Sequence, residues 1–270
     1  MRKRTEVKCI ALYYAIACSV SWILWLPLVL GSSGFNLVDV SPPVPVLISV
    51  GTLRPLVACY LAARLCDGNW RAVPILPSRR SQWLWLIIAP LLVLLCFFVV
   101  FPALVSQGPP HAWLWRPNTL VGIVVPMFNY NLLAGPLFEE FGWRGFLQSR
   151  LQRLIPAWAA AAAVGALWAA WHLPLFLVHG WTSASPLAYL FILVGLSMVM
   201  AFGFNASGTS VLAAILMHSA FNSSPRFLGA YLDRTPVRSY SEWYIVAAFM
   251  LVGAALAVAS RGRLTVATRN

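Results

Sequence analysis

The feature that most constrains this chain is a series of uninterrupted apolar runs, each close to the roughly 20 residues that an α-helix needs to cross a hydrocarbon core of about 30 Å. They cover residues 9–30, 44–66, 83–105, 119–140, 158–178, 186–204, 208–224 and 243–260. All are rich in Leu, Ala and Val without alternation, whereas barrel strands alternate over about ten residues. The expected fold class is therefore all-α, a polytopic membrane protein with eight transmembrane helices. Composition enters as an exclusion: with 60% hydrophobic and 10% charged residues the chain is no ordinary soluble globule. No repeat or low-complexity linker divides residues 1–270, so one integral-membrane domain is expected.

Basic residues orient the spans. Arg2, Lys3, Arg4 and Lys8 precede the first run, whose apolar part is too long for a signal peptide. Arg64, Arg71, Arg79 and Arg80 follow the second, Arg150 and Arg153 the fourth, and Arg261, Arg263 and Arg269 the eighth. The positive-inside rule puts both termini in the cytoplasm. The loop 225–242 dissents, with Arg226, Arg234 and Arg238 against Asp233 and Glu242. The net charge of +12 is explained by topology and anionic lipid, and no basic face with interleaved aromatics points to nucleic acid. Among thirteen Trp residues, Trp22, Trp25, Trp83, Trp85, Trp113, Trp115 and Trp243 fit interfacial belts. Cys9, Cys18, Cys59, Cys66 and Cys96 show no CxxC spacing and read as buried free thiols.

Topology leaves a small polar set unexplained. Only seven acidic residues occur in the chain; Glu6, Asp39, Asp67, Asp233 and Glu242 fall in tails or between runs, where water can solvate them. Glu139 and Glu140 stand at the end of an apolar run, with Arg144 four residues on. An ionisable group there is a functional-site hypothesis by default. Residues four apart share a helix face, so Glu140 faces Arg144, and His218 faces Asn222 on another span. His172 lies one turn beyond Trp168 on a third. Taken singly, each has a plain explanation: a surface ion pair, a packing histidine, interhelical polar glue. Together, three helices present groups that hydrocarbon rejects, and a common interior is the cheapest arrangement. His111 and His179 fall in loops and receive no role.

Depth imposes a condition on this convergence. At about 1.5 Å per residue, a fourth span ending at 140 places Glu139 too near its cytoplasmic end to meet His172. The conflict eases if residues 145–157 form an amphipathic helix at the interface, with Leu147, Leu151 and Leu154 opposed by Gln148, Arg150, Gln152 and Arg153. Span four then runs from about Pro126 to Arg144 and span five enters near Ala162. The run Asn205 to Ser210 reads as a capped turn before a helix that reaches His218 after about two and a half turns.

At these residues the chain resembles the intramembrane proteases that include the CAAX prenyl endoprotease and the bacteriocin-processing and immunity proteins, the Abi or CPBP family. The motif EExxxR stands as Glu139-Glu140-Phe-Gly-Trp-Arg144, FxxxH as Trp168-Ala-Ala-Trp-His172, and HxxxN as His218-Ser-Ala-Phe-Asn222. Their order and spacing agree over about 120–225, which would be the catalytic core. Trp168 departs from the usual Phe, an aromatic-for-aromatic change that bears on local packing.

The resemblance implies peptide hydrolysis in a multi-pass cell-membrane protein, with a peptide or protein substrate, the lipid bilayer as surroundings and no nucleic acid partner. The eukaryotic branch would suggest a prenylated carboxy-terminal peptide, for which the loops give no support. Glu139 is assigned as general base, its like-charged neighbour and partial burial suiting it to take a proton from water. Glu140 would pair with Arg144 or share the proton, His172 would orient the water or shuttle its proton, and His218 and Asn222 would donate to the oxyanion. A rival arrangement places Zn on Glu139, His172 and His218; a metal-free mechanism is preferred because Asn suits an oxyanion site better than zinc. Other classes are a non-catalytic immunity or scaffold protein and a proton-coupled transporter, which would require an inverted repeat.

Overall fold

A computed structural model describes residues 2–41, 43–69, 73–105, 130–133, 135–232 and 242–266. Every regular element among them is helical. Apart from the short turns Arg80–Gln82, Tyr130–Leu133 and Leu173–Leu177, these are in chain order α1 (Arg2–Leu30), α2 (Val44–Thr52), α3 (Arg54–Asp67), α4 (Trp85–Val105), the composite helix α5, α6 (Ala157–Trp171), α7 (Pro186–Ala206), α8 (Val211–Leu232) and α9 (Glu242–Ala259). Helix α5 joins an α-helical Pro136–Glu140, a π-helical Phe141–Gln148 and a final Ser149–Leu151.

The protein is a polytopic helical membrane protein. Six stretches among the described residues are long and apolar enough to cross a membrane: Lys3–Leu30, Val44–Asp67, Arg80–Phe97, Ala157–Leu177, Pro186–Ala206 and Glu242–Ala259. The expected span 119–140 falls largely outside the described residues, as do the side chains of His111, Trp113, Trp115, Arg226, Asp233, Arg234, Arg238 and Arg269. The apolar part of α8, Val211–Ser224, is short for a span, though the helix itself runs through residues 225–232, where a loop was expected.

The junction after Arg144 differs from expectation. Residues 145–151 continue α5 rather than forming a separate interfacial helix, and Gln148 and Arg150, expected in water, are buried. Helix α6 begins at Ala157, directly after the proline cap Pro156, rather than near Ala162. The cause is an ion network absent from any single helix. Arg150 bonds Glu6 of α1 at 2.5 Å and also Asp67 of α3, while Arg153 bonds Glu6 at 2.8 Å. Glu6 is therefore buried against cations, not solvated. Helix α5 therefore continues past Arg144 to Leu151, with Glu139 near its start and Arg150 near its end.

Two other expectations are corrected. Trp25 is wholly buried, donating Nε1–H to Leu47 O at 3.2 Å, so it belongs to the core and not to a belt. Cys9 and Cys66 are disulfide-bonded, their Cα atoms 6.1 Å apart where α1 crosses α3; Cys18, Cys59 and Cys96 are free and buried.

Helix α7 is the centre of the bundle, packed against α6 on one side and α9 on the other. Without a hydrophobic drive between helices in lipid, close approach depends on small residues. A Cβ on Gly165 of α6 would lie 2.6 Å from Leu193 O and from Val194 Cα of α7, and one on Gly195 would lie 2.7 Å from Met250 N of α9. Backbone meets backbone at both crossings, with no flexible side chain able to yield. Gly165→Val and Gly195→Val should each destabilise the bundle by about 1–3 kcal/mol or more, read as a lower unfolding midpoint of the purified protein in detergent.

Candidate active site

Helix α5 begins at Gly135, whose φ of +155° suits glycine, and Pro136 occupies the first helical turn where its missing N–H costs nothing. The Gly135 carbonyl accepts from Phe138 N and Glu139 N. A Cβ on Gly135 would stand 2.6 Å from Glu139 Oε1, so the carboxylate rests against the bare Cα of the turn that starts its own helix. Glu139 and Glu140 are 3% and 0% exposed. After them the helix widens into its π-helical stretch, a form that concentrates at functional sites. Gly142 there admits Tyr13 and Pro55: its Cβ would meet Tyr13 Oη at 2.2 Å.

Glu140 points away from Glu139 into a chain of buried charge. Arg144 Nη1 lies 3.0 Å from both Glu140 oxygens, with hydrogen-bond geometry to Oε1. Its Nη2 donates to Ser197 Oγ of α7 at 3.3 Å, and its guanidinium carbon stands 4.6 Å above the Trp168 ring. On the other side, His218 Nδ1 is 2.8 Å from Glu140 Oε1. A carboxylate only accepts, so Nδ1 carries the proton and Nε2 is the nitrogen left for other partners. Arg144, Glu140 and His218 thus join α5 to α8, with Ser197 linking them to α7.

His172 sits at the carboxyl end of α6, where Pro174 stops the helix by lacking an N–H and opens a 3-10 stretch, Leu173–Leu177. Its Nδ1 is 2.9 Å from Trp168 O, which again leaves Nε2 unengaged by that bond. Its ring stacks on Trp181 at 5.5 Å and meets Tyr189 edge-on at 5.4 Å. Trp168 Nε1 donates to Glu139 Oε2 at 2.8 Å.

A cavity of about 160 Å³ lies between these groups, and its wall includes Glu139, Trp168, His172, Tyr189, His218 and Asn222. Four of the six residues singled out in the sequence border it; Glu140 and Arg144 stand behind it and reach it only through His218. Asn222 is half-buried, one turn beyond His218 on α8. The arrangement brings a carboxylate, two imidazoles and a carboxamide to the wall of one small volume, which suits proton transfer beside a polarised carbonyl.

Sequence reasoning missed Trp168 Nε1, Ser197 and Tyr189 as members of this neighbourhood. Ser197 had a legible signal, a hydroxyl in the middle of the apolar α7. Trp168 had one too, since a buried indole N–H needs an acceptor that phenylalanine does not.

For a metal, the candidate ligands are Glu139, His172 and His218. No three His, Cys, Asp or Glu side chains among the described residues stand close enough together to hold one ion. Glu139 Oε2 already accepts from Trp168, and the two histidines address the cavity from different helices. The side chains as they stand do not fit a three-ligand centre.

Over residues 118–224 the chain matches the family described as Type II CAAX prenyl endopeptidase Rce1-like. It is 25% identical over 138 residues to CAAX prenyl protease 2 of Methanococcus maripaludis, an alignment covering 47% of this chain and 49% of that protein. The chain therefore spans about half the length of the curated relative it matches. The family read from the three motifs is the family that the matched region resembles, and all three motifs fall inside it.

The buried ion chain makes a direct demand on stability. Arg144→Ala leaves Glu140 buried beside His218 alone and should cost about 3–5 kcal/mol, whereas Ser197→Ala, removing one hydrogen bond to a charged group, should cost about 1.5–3 kcal/mol. Unfolding midpoints of the two variants in the same detergent give the order.

Proposed function

We propose that this chain is an intramembrane endopeptidase in which Glu139 is the general base for water, His172 orients that water, and His218 with Asn222 stabilises the oxyanion. The observation that carries the reading is the division of the two glutamates: one borders the cavity, the other is consumed by Arg144 and His218 behind it.

The chemistry follows from the hydrogen bonds. Water in the cavity loses a proton to Glu139 as its oxygen attacks the peptide carbonyl carbon, and the carbonyl π electrons move onto oxygen. His172, with Nδ1–H committed to Trp168 O, offers an Nε2 lone pair that holds the second water proton and aims the oxygen. His218, held by Glu140 at Nδ1, turns its other edge to the oxyanion, and the Asn222 carboxamide adds a second donor there. Collapse of the tetrahedral intermediate breaks the C–N bond, and Glu139 returns its proton to the leaving amine. No step needs a metal, and because Asn222 suits an oxyanion site better than a zinc site we read the reaction as metal-free. Both termini are read as cytoplasmic, and the substrate as a peptide or membrane-proximal segment entering from that side.

Farnesylated and unprenylated peptides ending in a CAAX sequence are the first substrates to try, because the matched family and relative carry that name. With protein reconstituted in liposomes, Glu139→Gln, His172→Ala and His218→Ala should each lower cleavage at least about 100-fold while inserting normally. Retained activity in Glu139→Gln refutes the base assignment. Stoichiometric zinc whose removal abolishes cleavage and whose return restores it overturns the metal-free form. Should neither peptide be cut, comparing amino termini in membranes that hold wild-type protein or Glu139→Gln identifies the natural substrate. A cellular phenotype that survives Glu139→Gln indicates a non-catalytic scaffold instead.

A further inference from the structure

Trp168 touches Glu139, His172, His218 and Arg144 at once. Its indole N–H donates to Glu139 Oε2 at 2.8 Å. Its backbone carbonyl takes the Nδ1 proton of His172 at 2.9 Å. Its ring meets His218 edge-on at 4.8 Å and lies beneath the Arg144 guanidinium at 4.6 Å. The ring is 2% exposed, so water does not compete for the indole proton.

Taking Glu139 as the base, as proposed above, we infer that Trp168 is a positioning residue, its indole N–H holding the Glu139 carboxylate in the orientation that faces the cavity. Glu139 has two oxygens with different surroundings. Oε2 is tied to Trp168, and Oε1 rests over Gly135, where any Cβ would displace it. A carboxylate pinned at one oxygen and fenced at the other keeps one rotamer, at no reorganisation cost when water enters. The four-residue spacing of Trp168 and His172 puts both partners of the water under one residue: the side chain orients the base, and the carbonyl fixes which nitrogen of His172 is free.

The related motif carries phenylalanine at this position, which fills space and cannot donate. What looked like an exchange of one aromatic for another therefore adds a donor that this chain uses on its own base. Trp168→Phe restores the phenylalanine, keeps an aromatic ring, and removes only the N–H and part of the ring area. The backbone carbonyl that orients His172 is unchanged, which isolates the effect on Glu139.

Two measurements test this. In protein with ¹⁵N-labelled tryptophan in detergent micelles, the indole signal missing from Trp168→Phe belongs to Trp168. In Glu139→Ala that signal should show the largest shift of any indole, since it has lost its acceptor. An unmoved signal overturns the inference whether or not any substrate is known. With a peptide that the wild type cleaves, Trp168→Phe should lower kcat about tenfold to a hundredfold, the size of a charge-assisted hydrogen bond, and leave KM within about twofold. An unchanged kcat in Trp168→Phe beside an inactive Glu139→Gln overturns the positioning role and leaves the base intact. Full activity in Glu139→Gln removes the base and the positioning role with it.

Discussion

Charge enclosed by helices and lipid survives only where its counter-charge is enclosed with it, and the bonds among Arg144, Glu140 and His218 meet that condition for this protein. The guanidinium, the carboxylate and the imidazole come from α5 and α8, and Ser197 ties them to α7. Because each member would be costly alone, the helices are held in the one register that satisfies all three. The cavity is a consequence of that register. It brings His218 to the wall of the space that Glu139 borders, and leaves that second carboxylate without a salt bridge among the described residues.

A second ionic cluster works at the other end of α5. Glu6, Asp67, Arg150 and Arg153 draw α1, α3 and the segment after α5 together, near the disulfide between Cys9 and Cys66. Between the two clusters α5 is anchored at both ends, and its π-helical stretch lies in the interval. Glycines rather than apolar side chains make the crossings there and at α7, so the backbones approach until side-chain volume is the limit. Stability and site geometry thus share a cause: both depend on how closely α5, α6, α7 and α8 can approach.

Much of this was legible from residue spacing. Four-residue intervals between Glu140 and Arg144, Trp168 and His172, and His218 and Asn222 fix shared faces on any helix, whatever surrounds it. The all-helical membrane class followed from run length alone. Less legible was everything that depended on a neighbour. Arg150 and Gln148 look like a solvated face of an amphipathic helix until Glu6 and Asp67 arrive from distant segments to bury them. Trp25 looks like an interfacial residue until α2 covers it. The cysteines carry no motif, and only the crossing of α1 and α3 brings two of them within bonding distance.

The glutamate pair shows where the division falls. From sequence, two adjacent carboxylates in an apolar run establish that something must compensate them, and the arginine one turn later names a partner for Glu140, because helical periodicity is a local property. Which cation completes that pairing, and which group attends the other carboxylate, is not local. His218 lies 78 residues from Glu140, and Trp168 lies 29 residues from Glu139. Those distances close only when α6 and α8 pack on α5, so the tertiary structure alone decided that one glutamate is bound into an ion chain and the other is held by an indole at the edge of a cavity.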